Sequence, residues 1–421
     1  MKTSYILGSR RIPFTKSLTH YMGVPTRELM TFVLSGLVRD FNLKGLELGD
    51  VTLGAIIKSS ADWDLARECV LGSGLAATTP GVDTQVACGA SLEALLSLSH
   101  KIQNGMMSSA IAGGVDTNSA LPIQFPNSFS KKLLRLHVAK TMGQKMGAAM
   151  SFTLGDLKPQ LPAVKERRTG LSMGEHCELM VKEWQISRAE QDELSARSHQ
   201  TAAQAYAEGF YKELLLPFNG LDKDSTVRGD TSVEKLAKLK PAFDRSVTGT
   251  LTAGNSSPLT DGASAVLLGT EDFAKSRGLP LLSKFVDAEI SAVDFVAGEG
   301  LLMAPTVAVG RMLQRQKMKL QDFDYYEIHE AFAGQALCTL RAWENETYCQ
   351  KKLGTGKLGS IDLNKMNVKG GSLAIGHPFA ATGTRIAGSL SKILTGKKGA
   401  RGLISICTAG GMGVVAILEG V

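Results

Sequence analysis

Residues 82–114 read VDTQVACGASLEALLSLSHKIQNGMMSSAIAGG, and their changing periodicity decides the class of fold. Val82–Ala87 is a short run of strand length. Ser91–Ile102 then spaces Leu92, Leu95, Leu98 and Ile102 as one face of a helix. Ser108–Gly113 returns to strand and halts at a Gly-Gly pair. The rhythm extends outward in both directions. Upstream, short apolar runs at Ser4–Leu7 and Val51–Ile57 flank a helical stretch, Thr26–Val38. Downstream, Thr248–Ala253 and Ala263–Gly269 have strand character. The last third runs through a strand at Tyr325–Ile328, a helix from Glu330, a strand at Ser372–Gly376, a helix over Thr382–Leu394 and a strand at Leu403–Cys407. Strands alternating with helices predict a layered α/β fold. The two α/β thirds share a layout. Each has a strand, a reactive residue at a tight turn, a helix, and a strand ending in Gly-Gly. Cys88 and Gly113-Gly114 occupy these places in one, His377 and Gly410-Gly411 in the other, the mark of an internal duplication.

Between Leu121 and Lys240 strand signals vanish and polar helices take over. Ser187-Arg-Ala-Glu190 is a capping box that opens a helix running to about Ala207. Three units are therefore expected: an N-terminal α/β half over 1–120 completed by 243–275, an inserted helical and loop-rich domain over 121–242, and a C-terminal α/β half over 276–421.

The bulk properties bound the function. A chain of 421 residues, 43% hydrophobic and 21% charged, is a folded protein of more than one unit. A net charge of +7 is mild at this size. It gives no reason to expect nucleic acid, and leaves anionic small molecules, a membrane surface or an acidic partner open. The six cysteines include no CxxC pair and no cysteine–histidine cluster, a pattern of a reducing compartment without a zinc site or disulfide framework. The apolar run at the N-terminus is too short for a signal peptide. Leu403–Leu418 is interrupted by Gly410, Gly411 and Gly413, and a membrane span needs roughly 20 apolar residues. A soluble, cytoplasmic protein is expected.

Four short blocks carry chemistry. Cys88 lies in Gln-Val-Ala-Cys-Gly-Ala-Ser, at the start of a helix whose free N–H groups and positive partial charge favour a thiolate nucleophile. A small buried hydrophobe at a strand end is the plainer reading of the same cysteine. His377 lies in Gly-Gly-Ser-Leu-Ala-Ile-Gly-His-Pro-Phe-Ala-Ala-Thr-Gly, where small neighbours leave the imidazole little to pack against and Pro378 sets the backbone before a helix. His329, in Glu-Ile-His-Glu-Ala-Phe-Ala, marks another strand-to-helix junction. Cys407 ends a strand in Ile-Ser-Ile-Cys-Thr-Ala-Gly-Gly-Met-Gly.

In this order and spacing, Cys-Gly-Ala-Ser, His-Glu-Ala-Phe-Ala, Gly-His-Pro-Phe-Ala-Ala-Thr-Gly and Cys-Thr-Ala-Gly-Gly resemble the thiolase family, over nearly the whole chain from Arg11-Ile-Pro-Phe onward. Histidine at the head of His-Glu-Ala-Phe, the long insert after Leu121-Pro122, and Ala242-Phe-Asp-Arg are similar to the β-oxidation thiolases that form the β subunit of a trifunctional complex. The resemblance implies a duplicated five-layered α/β/α/β/α core and thiolytic cleavage of a 3-ketoacyl-CoA. It implies that Cys88 takes the acyl group, His377 activates it and Cys407 is the acid/base cysteine. His329 would replace an oxyanion-supporting asparagine. Ser257, in Ala-Gly-Asn-Ser-Ser-Pro, would lie near the pantetheine of CoA, although Pro258 stands where many thiolases have glycine. Cys-Thr-Ala-Gly-Gly departs from the commoner Cys-x-Gly-Gly-Gly, but Ala409 keeps the backbone N–H that an oxyanion needs. The implied partners are 3-ketoacyl-CoA and CoA, with CoA a substrate and no permanently bound cofactor. A homodimer core and a hydratase/dehydrogenase α subunit are implied as well.

Two other functions share the fold. A ketoacyl synthase would lack a second cysteine, so Cys407 argues against it. A non-catalytic acyl-CoA or lipid-binding protein would be favoured by loss of Cys88, His377 or Cys407, and all are present. A biosynthetic enzyme run toward acetoacetyl-CoA stays open, as does the preferred chain length.

The insert holds one further feature. No acidic residue occurs between Asp116 and Asp156, while Lys131, Lys132, Arg135, Lys140 and Lys145 do. Leu134, Val138, Met142 and Met146 recur every fourth residue, so a helix over 130–146 sets an apolar face beside a basic one. Such a helix packs its apolar side on the protein, docks on a membrane surface or partner, or forms a ledge for CoA phosphates.

Overall fold

The computed structural model describes residues 2–160 and 164–421. Its strands are β1 (Tyr5–Arg11), β2 (Thr15–Lys16), β3 (Asp50–Gly54), β4 (Gly81–Thr84), β5 (Ser109–Asp116), β6 (Thr260–Gly269), β7 (Ser283–Ala292), β8 (Tyr325–Ile328), β9 (Arg401–Thr408) and β10 (Met412–Gly420). The helices of the first half are α1 (Thr26–Asp40), α2 (Leu65–Ser73) and α3 (Ala90–Gln103). The insert contributes α4 (Asn127–Val138), α5 (Met142–Met150), α6 (Met173–Glu183), α7 (Arg188–Ala207) and α8 (Val233–Ala237). After α9 (Glu271–Arg277) come α10 (Ala304–Gln316), α11 (Ala333–Glu344), α12 (Glu346–Leu353), α13 (Ser372–Ile375) and α14 (Thr382–Leu394).

The strands pair in the order β4-β3-β5-β6-β1-β7-β10-β9-β8, with β2 on β6. Within the sheet, the halves are joined where Tyr5 and Ile6 of β1 face Lys284 and Ser283 of β7. Their pairings repeat. In the first half β1 and β6, then β6 and β5, are antiparallel, and β5 and β3 are parallel. In the second, β7–β10 and β10–β9 are antiparallel and β9–β8 parallel. The duplicated layout is thus present in the hydrogen bonding itself.

Alternation of side chains along the strands sorts the core into layers. On β5 and β6, Ile111, Val115, Ala265 and Leu267 face α1 and α2, while Ala110, Ala112, Val266 and Leu268 face α3. On β9 and β10, Ile404, Ile406, Val414 and Ala416 face the same central layer, while Leu403, Val415 and Ile417 pack with α10 and α11. Leu92, Leu95 and Leu98 of α3 and Ile386 and Leu390 of α14 fill that centre. The outcome is α/β/α/β/α, and it puts the N-termini of α3 and α14, which follow Cys88 and His377, side by side in the interior.

Three local expectations fail for identifiable reasons. Thr248–Ala253 is not a strand, because the buried Glu178 carboxylate accepts the N–H groups of Thr250 (2.8 Å) and Leu251 (2.9 Å) in place of a neighbouring strand. Ser372–Gly376 is the helical turn α13. Glu330 accepts the Leu373 N–H and Ser198 the Gly371 N–H, and Gly376, at φ +101°, ends the turn. The strand position beside β8 passes instead to Met366, which bridges Tyr326 in parallel. The continuous helix over 130–146 is two helices. Thr141 accepts the Gln144 N–H and Gln144 reaches back, so a fresh capping box restarts the chain at α5. Leu134, Val138, Met142 and Met146 are all exposed, so the apolar side does not pack on the protein. Lys132 is tied to Asp156 at 2.7 Å. Among the described residues, no helix is long and apolar enough to cross a membrane.

Candidate active site

Cys88 sits between β4 and α3, with Gly89 as the helix N-cap. Ala87 before it has φ +44°. A residue with a Cβ pays about 1–2 kcal/mol to sit in that left-handed region, and the sharp bend lifts the Cys88 sulfur out of the strand line into a cavity. The thiol is only half-buried by exposed area because the cavity is open, yet protein crowds it on the other sides. That burial pushes its pKa up to about 12, with the Asp116 carboxylate adding to the rise and the Ala409 N–H, donating to the sulfur, opposing it.

His377 follows Gly376. Its main-chain N–H donates to Thr260 Oγ1 (2.8 Å), and its Nδ1 lies 2.6 Å from Thr382 Oγ1 at the start of α14. Burial, reinforced by the positive Arg385, lowers its pKa to about 3, so the imidazole is neutral. The resting site therefore holds a neutral thiol and a neutral base, not an ion pair.

Cys407 is the last residue but one of β9, opposite Gly413 of β10. Burial, and then the nearby Cys88, hold its thiol well above the usual range. Beyond it the chain reverses through Gly410 and Gly411, both at positive φ. Glu166 accepts the Gly410 N–H at 2.7 Å, which fastens this turn to the insert and leaves the Ala409 N–H facing Cys88.

Cys88, His377, Cys407, Ser257 and Ala409 all line one cavity of about 290 Å³, walled by Met173, Phe243, Leu302, Phe332 and Phe379. His329 does not line it. It stands one ring behind, its centroid 4.2 Å from that of His377 and its Nδ1 2.7 Å from Ser372 Oγ. Two further spaces join the cavity. A groove of about 610 Å³ shares Phe243, Ser257 and Leu259 with it and reaches Lys16 and Arg228. A pocket of about 360 Å³ shares Cys88, Met173 and Phe379 and leads to Ile56, Ile57 and Pro122, with Lys58, Lys165 and Glu166 beside them.

The sequence blocks did not disclose the supports. Thr382 stands inside the His377 block, five residues on, and a hydroxyl at the first turn of the following helix is its only signal. Ser372, Arg385 and Glu166 gave none, because their partners are remote in sequence.

Residues 4–272 match the family described as "Thiolase, N-terminal domain", and residues 279–420 "Thiolase, C-terminal domain". The chain belongs to the thiolase family. It is 38% identical over 421 residues to proteins named 3-ketoacyl-CoA thiolase from Shewanella woodyi and Pseudoalteromonas atlantica, covering 98% of this chain and 96% of each of those. Its structure is similar to that of the Bacillus anthracis acetyl-CoA acetyltransferase, with a TM-score of 0.82, 29% identity, and 100% and 99% of the two chains covered. The Acat5 thiolase from Ascaris suum, solved in complex with coenzyme A, shares the fold at a TM-score of 0.81 and 23% identity, with 100% of both chains covered. As a thiolase the protein is an acyltransferase, and the cavity around Cys88 is where its acyl chemistry is to be sought.

Proposed function

We propose that this thiolase cleaves 3-ketoacyl-CoA with CoA to give acetyl-CoA and a shortened acyl-CoA. The observation that carries the proposal is the meeting of Cys88, Cys407 and a neutral His377 on one apolar cavity, with the Ala409 N–H turned to the Cys88 sulfur.

Thr382 occupies Nδ1 of His377, so Nε2 is the nitrogen that takes the Cys88 proton as the sulfur adds to the ketone. The alkoxide formed at that carbon is held by the Ala409 N–H. Its collapse breaks the carbon–carbon bond, leaving an acyl-Cys88 thioester and the enolate of acetyl-CoA. His377, now protonated, donates to the enolate oxygen, and His329 supports it from behind. The Cys407 thiol protonates the enolate carbon and becomes a thiolate. That thiolate takes the proton of the incoming CoA thiol. The CoA sulfur attacks the acyl group, Cys88 leaves, and His377 returns its proton. All groups end as they began.

The groove running from Lys16 and Arg228 past Ser257 suits CoA, with phosphates at its basic end and the thioester at Cys88. The pocket toward Ile56, Ile57 and Pro122 suits the acyl tail, and Pro122 and Val164 bring the insert into its wall. Steady-state kinetics on 3-ketoacyl-CoAs of increasing length test the reading. Acetyl-CoA release that depends on free CoA is expected, and its absence with every chain length would overturn the proposal.

The proposal extends to partners: a homodimer core and a hydratase/dehydrogenase α subunit. The exposed row Leu134, Val138, Met142 and Met146, flanked by Lys131, Arg135 and Lys145, supports peripheral docking on an anionic membrane surface or on that subunit. It offers less to CoA, since no residue of α4 or α5 lines the groove or either pocket. Replacing Lys131, Lys132 and Arg135 by glutamine is expected to weaken binding to anionic vesicles or to the subunit while the KM for CoA stays put. A raised KM with unchanged docking would reverse the assignment.

A further inference from the structure

His329 is fully buried, and burial together with His377 and Arg385 holds its protonation far below the ordinary histidine range. A neutral imidazole has one N–H, and the nitrogen that carries it decides what the ring can do. If the proton sits on Nδ1, Nε2 is an acceptor and repels an enolate oxygen. If it sits on Nε2, the ring is a donor.

The surrounding hydrogen bonds choose between these states. A guanidinium can only donate, and Arg385 Nη2 donates to Ser372 Oγ at 2.7 Å. Ser372 Oγ lies 2.7 Å from His329 Nδ1, and its hydroxyl has no other acceptor among the described residues. The arrangement that uses every group runs in one direction: Arg385 donates to Ser372, Ser372 donates to Nδ1, and the ring proton is left on Nε2. Were Nδ1 to donate instead, the serine oxygen would receive two donors and its own hydrogen would be stranded in the core. Among the described residues, Nε2 of His329 has no partner although it is buried. Buried polar groups are nearly always paired, so an orphan donor beside the ring of His377 is a candidate for pairing in the reaction.

We propose that Ser372 and Arg385 are positioning residues that hold His329 in its Nε2–H tautomer, making that nitrogen an obligate donor toward the enolate oxygen. The inference rests on the reading of His329 as an oxyanion support. It explains how a histidine one ring behind the cavity acts without titrating. It also explains why an arginine is kept in the core. Arg385 is buried within electrostatic reach of the buried Glu327; burial keeps both His329 and His377 neutral, and the charge of Arg385 reinforces this while favouring an anion in front of them.

A double-mutant cycle tests it, read as kcat for thiolysis and KM for CoA. Loss of one oxyanion donor costs about 10²–10³ in kcat. Ser372→Ala still lets the ring sample Nε2–H part of the time, so a fall of about 10–100-fold is expected, with KM for CoA unchanged. Ser372→Thr, which restores the hydroxyl, should recover most of the rate. In a His329→Asn background the amide donor needs no tautomer, and Ser372→Ala should cost less than about twofold more. The same loss in both backgrounds would mean that Ser372 is merely structural, and normal turnover of Ser372→Ala alone would sink the tautomer argument. His329→Ala separates the two layers of inference. Full activity in that variant overturns the oxyanion reading itself. Impaired His329→Ala beside unimpaired Ser372→Ala overturns only the proposal made here. A second measurement reads the tautomer directly in the unaltered site. In ¹⁵N-histidine-labelled wild-type protein, the ring assigned to His329 by its loss in His329→Asn should be protonated at Nε2 and bare at Nδ1; the opposite pattern refutes the proposal.

Discussion

Gly383 is where the spacing between Cys88 and His377 can be perturbed without touching either. It lies in the first turn of α14, where that helix crosses α3. A Cβ built there would meet Leu92 N at 2.4 Å, Leu92 Cβ at 2.8 Å and Ser91 Oγ at 2.8 Å, while Ser91 Oγ also accepts the Thr384 N–H at 3.0 Å. Ordinary contact begins near 3.4 Å, and the closest of these atoms is backbone, which cannot rotate away. Gly383→Ala must therefore move the two helices apart by about 1 Å. Overpacking of this kind costs about 1–3 kcal/mol. With an unfolding entropy of roughly 2.1 cal/mol/K per residue, a cooperative chain of this length would lose only about 1–3 °C in Tm. Activity should suffer far more. Cys88 precedes α3 and His377 is held by Thr382 at the start of α14, so the shift is delivered to the two groups the proposed reaction uses, and a misplacement of about 1 Å costs on the order of 10²-fold. The assay is CoA-dependent thiolysis alongside thermal unfolding. Gly147→Ala serves as the control, since a Cβ there meets nothing within 4 Å on the exposed helix α5. Turnover by Gly383→Ala within about twofold of wild type, with a native Tm, would show that this crossing does not set the site geometry.

Other outcomes follow from the same site. Cys407→Ser should slow turnover by about 10²–10⁴, the usual cost of losing a positioned proton carrier; steady-state rates near wild type would remove Cys407 from the mechanism. Because the Cys88 thiol titrates near 12, its thiolate fraction is small at neutral pH and grows as pH rises. Alkylation of resting enzyme by iodoacetamide should therefore accelerate about tenfold per pH unit from pH 6 to 9 without a plateau, and a plateau below pH 8 would reveal a preformed thiolate–imidazolium pair. Removing the acceptor that holds the Gly410 turn, with Glu166→Ala, should lower kcat several-fold, since a hydrogen bond to a charged group is worth about 1.5–3 kcal/mol and this one is partly exposed; Glu166→Gln keeps an acceptor and should restore much of the loss. Equal effects of the two substitutions would mean that the turn needs no such fastening.

Where periodicity and capping act locally, the sequence was a reliable guide. The Ser187 capping box opens α7, which runs to Ala207, and the spacing over Thr382–Leu394 coincides with α14. The duplication reappears in the strand pairing, β1-β6-β5-β3 against β7-β10-β9-β8, although the strand expected before His377 is the helical turn α13. Misreadings occurred where side chains remote in sequence take over backbone hydrogen bonding. Glu178 draws 250–251 out of any sheet, and Glu330 with Ser198 coils 372–375 into a turn. The break between α4 and α5 was local and readable, since Thr141-x-x-Gln144 is itself a capping box, but the four-residue recurrence of apolar side chains masked it. At the site, the motifs named Cys88, His377, Cys407, Ser257 and Ala409, which line the cavity. They did not reveal that His329 stands behind His377, nor that Ser372 and Arg385 hold it there, because those relations exist only once the chain has folded.

The central claim is that Cys88 carries the acyl group between two CoA events, and peptide mass analysis tests it most directly. Enzyme incubated with a 3-ketoacyl-CoA in the absence of free CoA should gain one shortened-acyl mass, confined to the peptide containing Cys88, and should lose it when CoA is added. An acyl group on Cys407 with Cys88 unmodified would contradict the account, as would acetyl-CoA release with no acyl-enzyme formed.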